Sequence, residues 1–263
     1  RQRQMCIRDS DRAVKWDLGV NFSLNRSKVL VLSEDKDIFG GELDNTILKD
    51  QLNLMRVGEP MYVFYGYVED GYDENGHIVY KNMDDDPAIT AADKTIIGDP
   101  NPDFLVNLTT AVSYKGFTLS AFFQSSIGND IYSLSMAAQA YDYGYNGNTL
   151  REVYYNHWTL ENPTAKYPNL DQTSYKMSDR FVYDGSFVRL KNLELAYDVP
   201  CARNKFIKRA RVYVSAQNLF TITSYPFWDP DINANGGGSS MIQGVDSYCC
   251  LLYTSPSPRD ISG

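Results

Sequence analysis

The chain has 263 residues, with 25 basic against 33 acidic side chains, a formal charge of −8 and a pI near 4.8. That balance excludes the basic surface that nucleic acid or an anionic membrane leaflet requires. An apolar content of 43%, with 20 Tyr, 12 Phe and 3 Trp, excludes intrinsic disorder. The negative mean hydropathy means that apolar and polar residues are interleaved, as in β structure with two unlike faces. No run approaches the roughly 18 uncharged apolar residues of a membrane helix, whereas spanning β-strands need only about 9 to 11 alternating residues.

The two ends do not read as protein design. Residues 1–10, Arg1 to Ser10, and the closing run from Cys250 to Asp260 resemble translated sequencing adapters from transposon-based DNA libraries. The expectation is an adapter-like scar at 1–10, natural material at 11–248 and a second scar at 249–263. Cys201 is then the sole natural cysteine, which supports no internal disulfide.

Period-2 alternation is clearest where Trp16, Leu18, Val20, Phe22 and Leu24 oppose Lys15, Asp17, Gly19, Asn21 and Ser23. Met61 to Val68, aromatic on both faces, is a candidate strand. A further strand carries Phe104, Val106, Leu108, Thr110, Val112 and Tyr114 against Asp103, Asn107, Thr109 and Ser113. A two-residue turn, Lys115-Gly116, leads into Phe117, Leu119, Ala121 and Phe123 against Thr118, Ser120 and Gln124, which predicts a hairpin. Val188 and Leu190 alternate with Arg189 and Lys191, then the phase slips at Asn192 to give Leu193, Leu195 and Tyr197, as at a β-bulge. Val212, Val214 and Ala216 against Arg211, Tyr213, Ser215 and Gln217 complete the set.

The connections run long (about 33–102), short (115–116), long (about 126–185), short (about 198–208) and long again from Leu219. Structureless loops beyond about 15 residues are uncommon in compact soluble domains. Strict long and short alternation is the rhythm of outer-membrane barrels. The expected fold is therefore all-β: a partial, unclosed antiparallel transmembrane β-barrel with long extracellular loops and short periplasmic turns. Its natural competitor is a secreted glycan-binding β-sandwich, and the faces separate the two. A barrel points the apolar set outward and Lys15, Asp17, Asn107, Thr118 and Arg189 inward; a sandwich does the reverse.

Particular runs add specificity. Ile97-Gly98-Asp99-Pro100-Asn101-Pro102-Asp103-Phe104, Tyr114 to Phe123, Gly128-Asn129-Asp130-Ile131-Tyr132, Asp184 to Leu193 and Val212 to Phe220 occur in this order. Together they resemble the C-terminal part of SusC/RagA-family TonB-linked outer-membrane receptors, across nearly all of Trp16 to Tyr248. The resemblance implies a barrel of about 22 strands with an N-terminal plug. It further implies import of oligosaccharides or peptides across the outer membrane of a Gram-negative bacterium of the Bacteroidota. Energy would come from the TonB complex, coupled through an N-terminal region that these residues do not include. A SusD-like surface lipoprotein would be the partner, outer-membrane lipid the surroundings, and nucleic acid no partner at all. Five or six strands cannot close even the smallest barrel, which takes about eight.

Two constellations are candidate sites. Asn82, Asp84, Asp86, Ala88 (through its carbonyl), Thr90 and Asp93 occupy positions 1, 3, 5, 7, 9 and 12 of a calcium-binding loop. Pro87 stands where that loop asks for Gly, and Asp93 is shorter than the usual bidentate Glu, so a solvated acidic loop competes with calcium. Tyr141, Tyr143, Tyr145, Tyr154, Tyr155 and Trp158 fall in one long loop. Such rings either stack on sugar faces or pack the loop onto itself. No nucleophile motif, P-loop or dinucleotide fingerprint appears. Asp229 and Asp231 could pose as the carboxylate pair of a glycosidase, but an acidic Pro-rich turn explains them equally, and no enzyme is expected.

Overall fold

The computed structural model describes residues 2–8, 14–44, 48–141, 148–200, 210–232 and 241–247, with backbone alone for 2–8. Six strands form one antiparallel sheet: β1 (Gln2–Arg8), β2 (Val14–Ser23), β3 (Phe104–Tyr114), β4 (Phe117–Ile127), β5 (Phe187–Val199) and β6 (Ala210–Thr223). Their spatial order is their chain order, so the sheet is a simple meander, and β1 and β6 stand at its two open edges. β1 runs along β2 through backbone pairing. An exposed strand edge accepts such pairing with little regard to sequence.

Register follows from the apolar alternation, because a one-residue slip would move every apolar side chain to the other face. One row reads Trp16, Val112, Leu119, Leu195, Val214 and the next Leu18, Thr110, Ala121, Leu193, Ala216. At the turn, Lys115 and Gly116 take φ of 47° and 88°, the two positive values that match a tight hairpin to the twist of its strands. The phase slip expected at Asn192 is a register shift between Leu190 and Asn192. On β6 it is absorbed by Asn218, with φ of 49°. The bulge keeps Leu190 and Leu193 on one face.

The principal packed core lies outside this sheet. The connections 24–103, 128–186 and 224–247 leave from the same end, and their residues merge into one cap. Leu48, Leu52, Phe64, Tyr132, Val153, Met177, Phe181 and Val245 are each at most 2% exposed there. Met61 to Val68 is corrected by this arrangement: only Val63–Gly66 is a strand, and it belongs to the cap. It pairs with Asn53–Met55 on one side and Thr95–Gly98 on the other. Its two apolar faces are both buried, the pattern of a central strand rather than of a wall between lipid and water. Two short helices, α1 (Leu134–Tyr141) and α2 (Arg151–Tyr155), complete the cap.

Candidate functional site

The sheet presents two chemically opposite faces. On the apolar face Trp16 is 54% exposed, Phe22 39%, Leu119 47% and Val214 74%, while Val106 is half-buried. These are the residues a sandwich would tuck into a dry interior, and among the described residues no layer covers them. Two polar groups on this face find their partners within the sheet. The Trp16 indole N–H donates to Thr110 Oγ1 at 2.9 Å, and the Ser125 hydroxyl donates to the Val106 carbonyl at 2.6 Å. Surroundings that offer no hydrogen bonds demand this self-sufficiency.

Aromatic rings flank the band. At the turn end Phe117 and Tyr197 lie 4.5 Å apart and Lys115 sits over Tyr114; at the cap end Phe22 meets Phe104 at 5.8 Å. Between those ends β3 has eleven residues. That is about 34 Å along the strand, or ~26 Å of height at a barrel tilt near 40°. Such a height matches the apolar band of an outer-membrane barrel.

The opposite face carries a polar row one strand after another: Asn21, Asn107, Gln124, Arg189 and Thr221. Arg189 is 1% exposed. Its Nε donates to Thr221 Oγ1 at 2.9 Å, its Nη2 donates to Asp229, and its Nη1 lies 3.5 Å from Asp231. The guanidinium also rests 5.1 Å from the Phe187 ring centre. Asp229 and Asp231 reach it because the chain beyond β6 turns back as a strap, with Tyr225 and Pro230 buried and Trp228 56% exposed. The two carboxylates therefore neutralise a buried cation instead of converging on an open cleft.

The sequence runs singled out above meet at the seam between sheet and cap. Asp99 N–H donates to Asp130 Oδ2 at 2.8 Å, and Asn101 folds back onto Asp99 through its backbone and side-chain nitrogens. Gly185 packs so closely on Asn129 and Ile131 that a Cβ would collide with both. Burial, and then the neighbouring Asp99 and Asp184, raise the Asp130 carboxyl above its ordinary range. Hydrogen bonds from Ser186 hold Asp184 below it.

Buried polar links tie the three connections together. Glu69 receives Arg180 Nε at 2.8–3.0 Å and the Ser178 hydroxyl at 2.6 Å, and Arg180 Nη2 also reaches both Glu69 and Tyr72. Asn53, 1% exposed, donates to the carbonyls of Tyr62 and Gln243 and accepts from Gln243 N–H. Asp246, fully buried, accepts from Tyr225 and from the hydroxyls of Ser133 and Ser135. Burial raises the Tyr225 phenol well above its ordinary range, reinforced by Asp246.

The aromatic set is not one surface. Tyr141 is 5% exposed, stacked 3.7 Å from Tyr175 and edge-on to Phe181, and Trp158 is 8% exposed. Tyr154 and Tyr155 are 60% and 65% exposed at the end of α2. Tyr143 and Tyr145 lie outside the described residues.

In the acidic loop the side-chain oxygens of Asn82, Asp84 and Asp86 each receive the N–H two residues on. Thr90 caps a 3-10 turn with Asp93, whose two oxygens take the N–H groups of Met83 and Thr90. Those bonds, Met83 first, hold the Asp93 carboxyl below its ordinary range. Ala88 sits between them, exposed. Among the described residues, no group of three or more His, Cys, Asp or Glu is placed to hold a metal.

Two features escaped the sequence reading: the pairing of Arg189 with Asp229 across 40 residues, and the exposure of Trp228. The available signal was an arginine at an inward-pointing position of an alternating strand that also carries Lys191, Glu194 and Asp198, which called for a partner carboxylate without saying which.

No family model matches the chain. Among curated proteins it is similar to TonB-dependent receptor P3 of Formosa agariphila, 31% identical over 236 residues, covering 83% of this chain and 23% of that one. It is similar also to TonB-dependent receptor SusC of Bacteroides thetaiotaomicron, 28% identical over 229 residues, 83% of this chain and 22% of that one. Among solved structures the RagAB peptide transporter superposes with a TM-score of 0.71 at 24% identity, over 87% of this chain and 26% of the other. The chain thus spans about a quarter of the length of the relatives it matches.

Proposed function

We propose that this chain, which belongs to the SusC/RagA family of TonB-dependent receptors, supplies part of the wall and extracellular cap of an outer-membrane nutrient importer. TonB-dependent receptors lie in the Gram-negative outer membrane and are not enzymes. In this reading the apolar face meets lipid and the Asn21–Thr221 row borders a water-filled conduit. The observation that carries it is the self-sufficiency of the apolar face, where Trp16 and Ser125 find their partners within the sheet. A face turned to water would not need those bonds.

The cargo is an oligosaccharide or a peptide, the latter by analogy with the RagAB peptide transporter. A SusD-like lipoprotein docks on the cap, as the RagAB pairing suggests, and TonB couples through the part of the receptor beyond this quarter. Of the described members of the aromatic set, Tyr154 and Tyr155 are exposed and available to touch sugar. The acidic loop at 82–93 is a solvated turn, with calcium as its alternative. Residues 11–248 are natural material, and resequencing across both ends tests that boundary. The function is tested by deleting the full-length receptor gene. Growth on defined oligosaccharides or peptides as sole carbon source should fail and return on complementation. Unimpaired growth on every substrate that the parent strain uses would refute it.

A further inference from the structure

We infer that Trp228 is a substrate-contact residue that takes the C–H face of a pyranose ring beside the polar wall, an assignment that rests on the import reading above. The ring is 56% exposed, yet the strap around it is fixed on both sides. Phe227 packs against the cap core and meets Trp228 edge-on at 5.3 Å. On the other side Asp229 is bonded to the buried Arg189, Asp231 N–H donates to Asp229 Oδ1 at 2.8 Å, and Pro230 is buried. A large aromatic on a strap anchored at both sides, and left exposed by the described residues, is a preorganised contact, because little backbone freedom is lost when something lands on it.

The groups nearby suit a sugar better than a peptide. A pyranose offers an apolar face ringed by hydroxyls that both donate and accept. Trp228 offers the matching flat surface, three residues from Asp231, whose side chain is 40% exposed and lies 4.0 Å from Lys191. An acceptor and a donor are therefore paired at the edge of the strap. Next to Arg189 the wall row continues as the neutral amide Gln124, a group that bonds hydroxyls without selecting a charge. In this arrangement Arg189 is a positioning residue: it acts on the substrate only through the strap.

The test uses the full-length receptor in detergent. It is titrated with neutral gluco-, manno-, galacto- and xylo-oligosaccharides, and separately with mixed-sequence oligopeptides. Trp228→Ala should weaken the oligosaccharide that binds by ~5- to 10-fold, the scale of one aromatic stacking contact, while Trp228→Phe stays within about threefold. Arg189→Met should reproduce the alanine loss, and the double variant should add nothing, whereas a merely structural arginine would give additive losses. Equal binding by Trp228→Ala, binding of peptides alone, or additive losses would overturn the inference. A receptor whose deletion abolishes growth on peptides but which binds no oligosaccharide leaves the import reading standing and removes the sugar.

Discussion

Replacing Glu69 with Ala strips the carboxylate from an ion pair whose side chains are 10% and 17% exposed. Among the described residues Arg180 then keeps hydrogen bonds only to the Lys166 carbonyl and the Tyr72 hydroxyl, and the Ser178 hydroxyl loses its acceptor. Breaking a buried pair by removing one partner costs about 3–5 kcal/mol, and the residual solvent access of Arg180 places this case near the lower end. The bond spans residues 69 and 180, so its loss should open the cap without unfolding the barrel wall. At ~3 kcal/mol the open population rises by roughly 100-fold. With the cap on the extracellular side, as proposed above, intact cells carrying the full-length receptor can be treated with a soluble protease, and the rate of cleavage within 24–103 and 128–186 read directly. Cleavage should accelerate by that factor, while Glu69→Leu with Arg180→Met, which leaves no charge behind, should recover most of the loss. An unchanged rate for Glu69→Ala, or a double variant as labile as the single one, would refute the reasoning.

Leu193→Arg, in the middle row of the apolar face, should destabilise the receptor in lipid vesicles by about 2–4 kcal/mol, whereas Ser120→Arg on the polar face should cost under about 1 kcal/mol; urea titrations of the two variants compare them. The Asp93 carboxyl is depressed in the folded loop by Met83 and Thr90 N–H donors. Its stabilisation is therefore present above the ordinary aspartate pKa and is lost as pH falls through the lower folded value. Hydrogen exchange of the Met83 and Thr90 amides should accelerate across that acidic window relative to neighbouring loops, and Asp93→Asn should abolish the acid dependence. Adding calcium or a chelator to the full-length receptor should leave both amides unchanged, since their acceptors are already engaged with backbone.

Much of the wall was legible because a half-buried strand writes its geometry into alternate residues. Trp16 to Phe22, Phe104 to Phe123 and the slip at Asn192 each reported a local rule, and the long and short rhythm of connections placed all three loops at one end. The cap was illegible for the converse reason. Its core joins Leu52, Tyr132 and Val245 from three separate connections, and no local period links residues so far apart in sequence. Met61 to Val68 misled because a strand buried on both faces and a strand of uncertain phase look alike. Tyr141 and Tyr154 were indistinguishable as loop tyrosines. Only the packing of α1 against Tyr175 and Phe181 separates the buried ring from the exposed one. The Asp229–Asp231 pair read as an acidic turn until Arg189, on β5, supplied its purpose.

The account stands on which face of the sheet meets lipid. Single cysteines placed along β4 from 117 to 124 in the full-length receptor, each given a fluorophore, can be quenched from the bilayer by brominated lipid or from water by iodide. The account predicts strict alternation: lipid quenching at 117, 119, 121 and 123, and iodide quenching at 118, 120, 122 and 124. Iodide quenching at 119 and 121 with lipid quenching at 118 and 120, or no alternation at all, would contradict it.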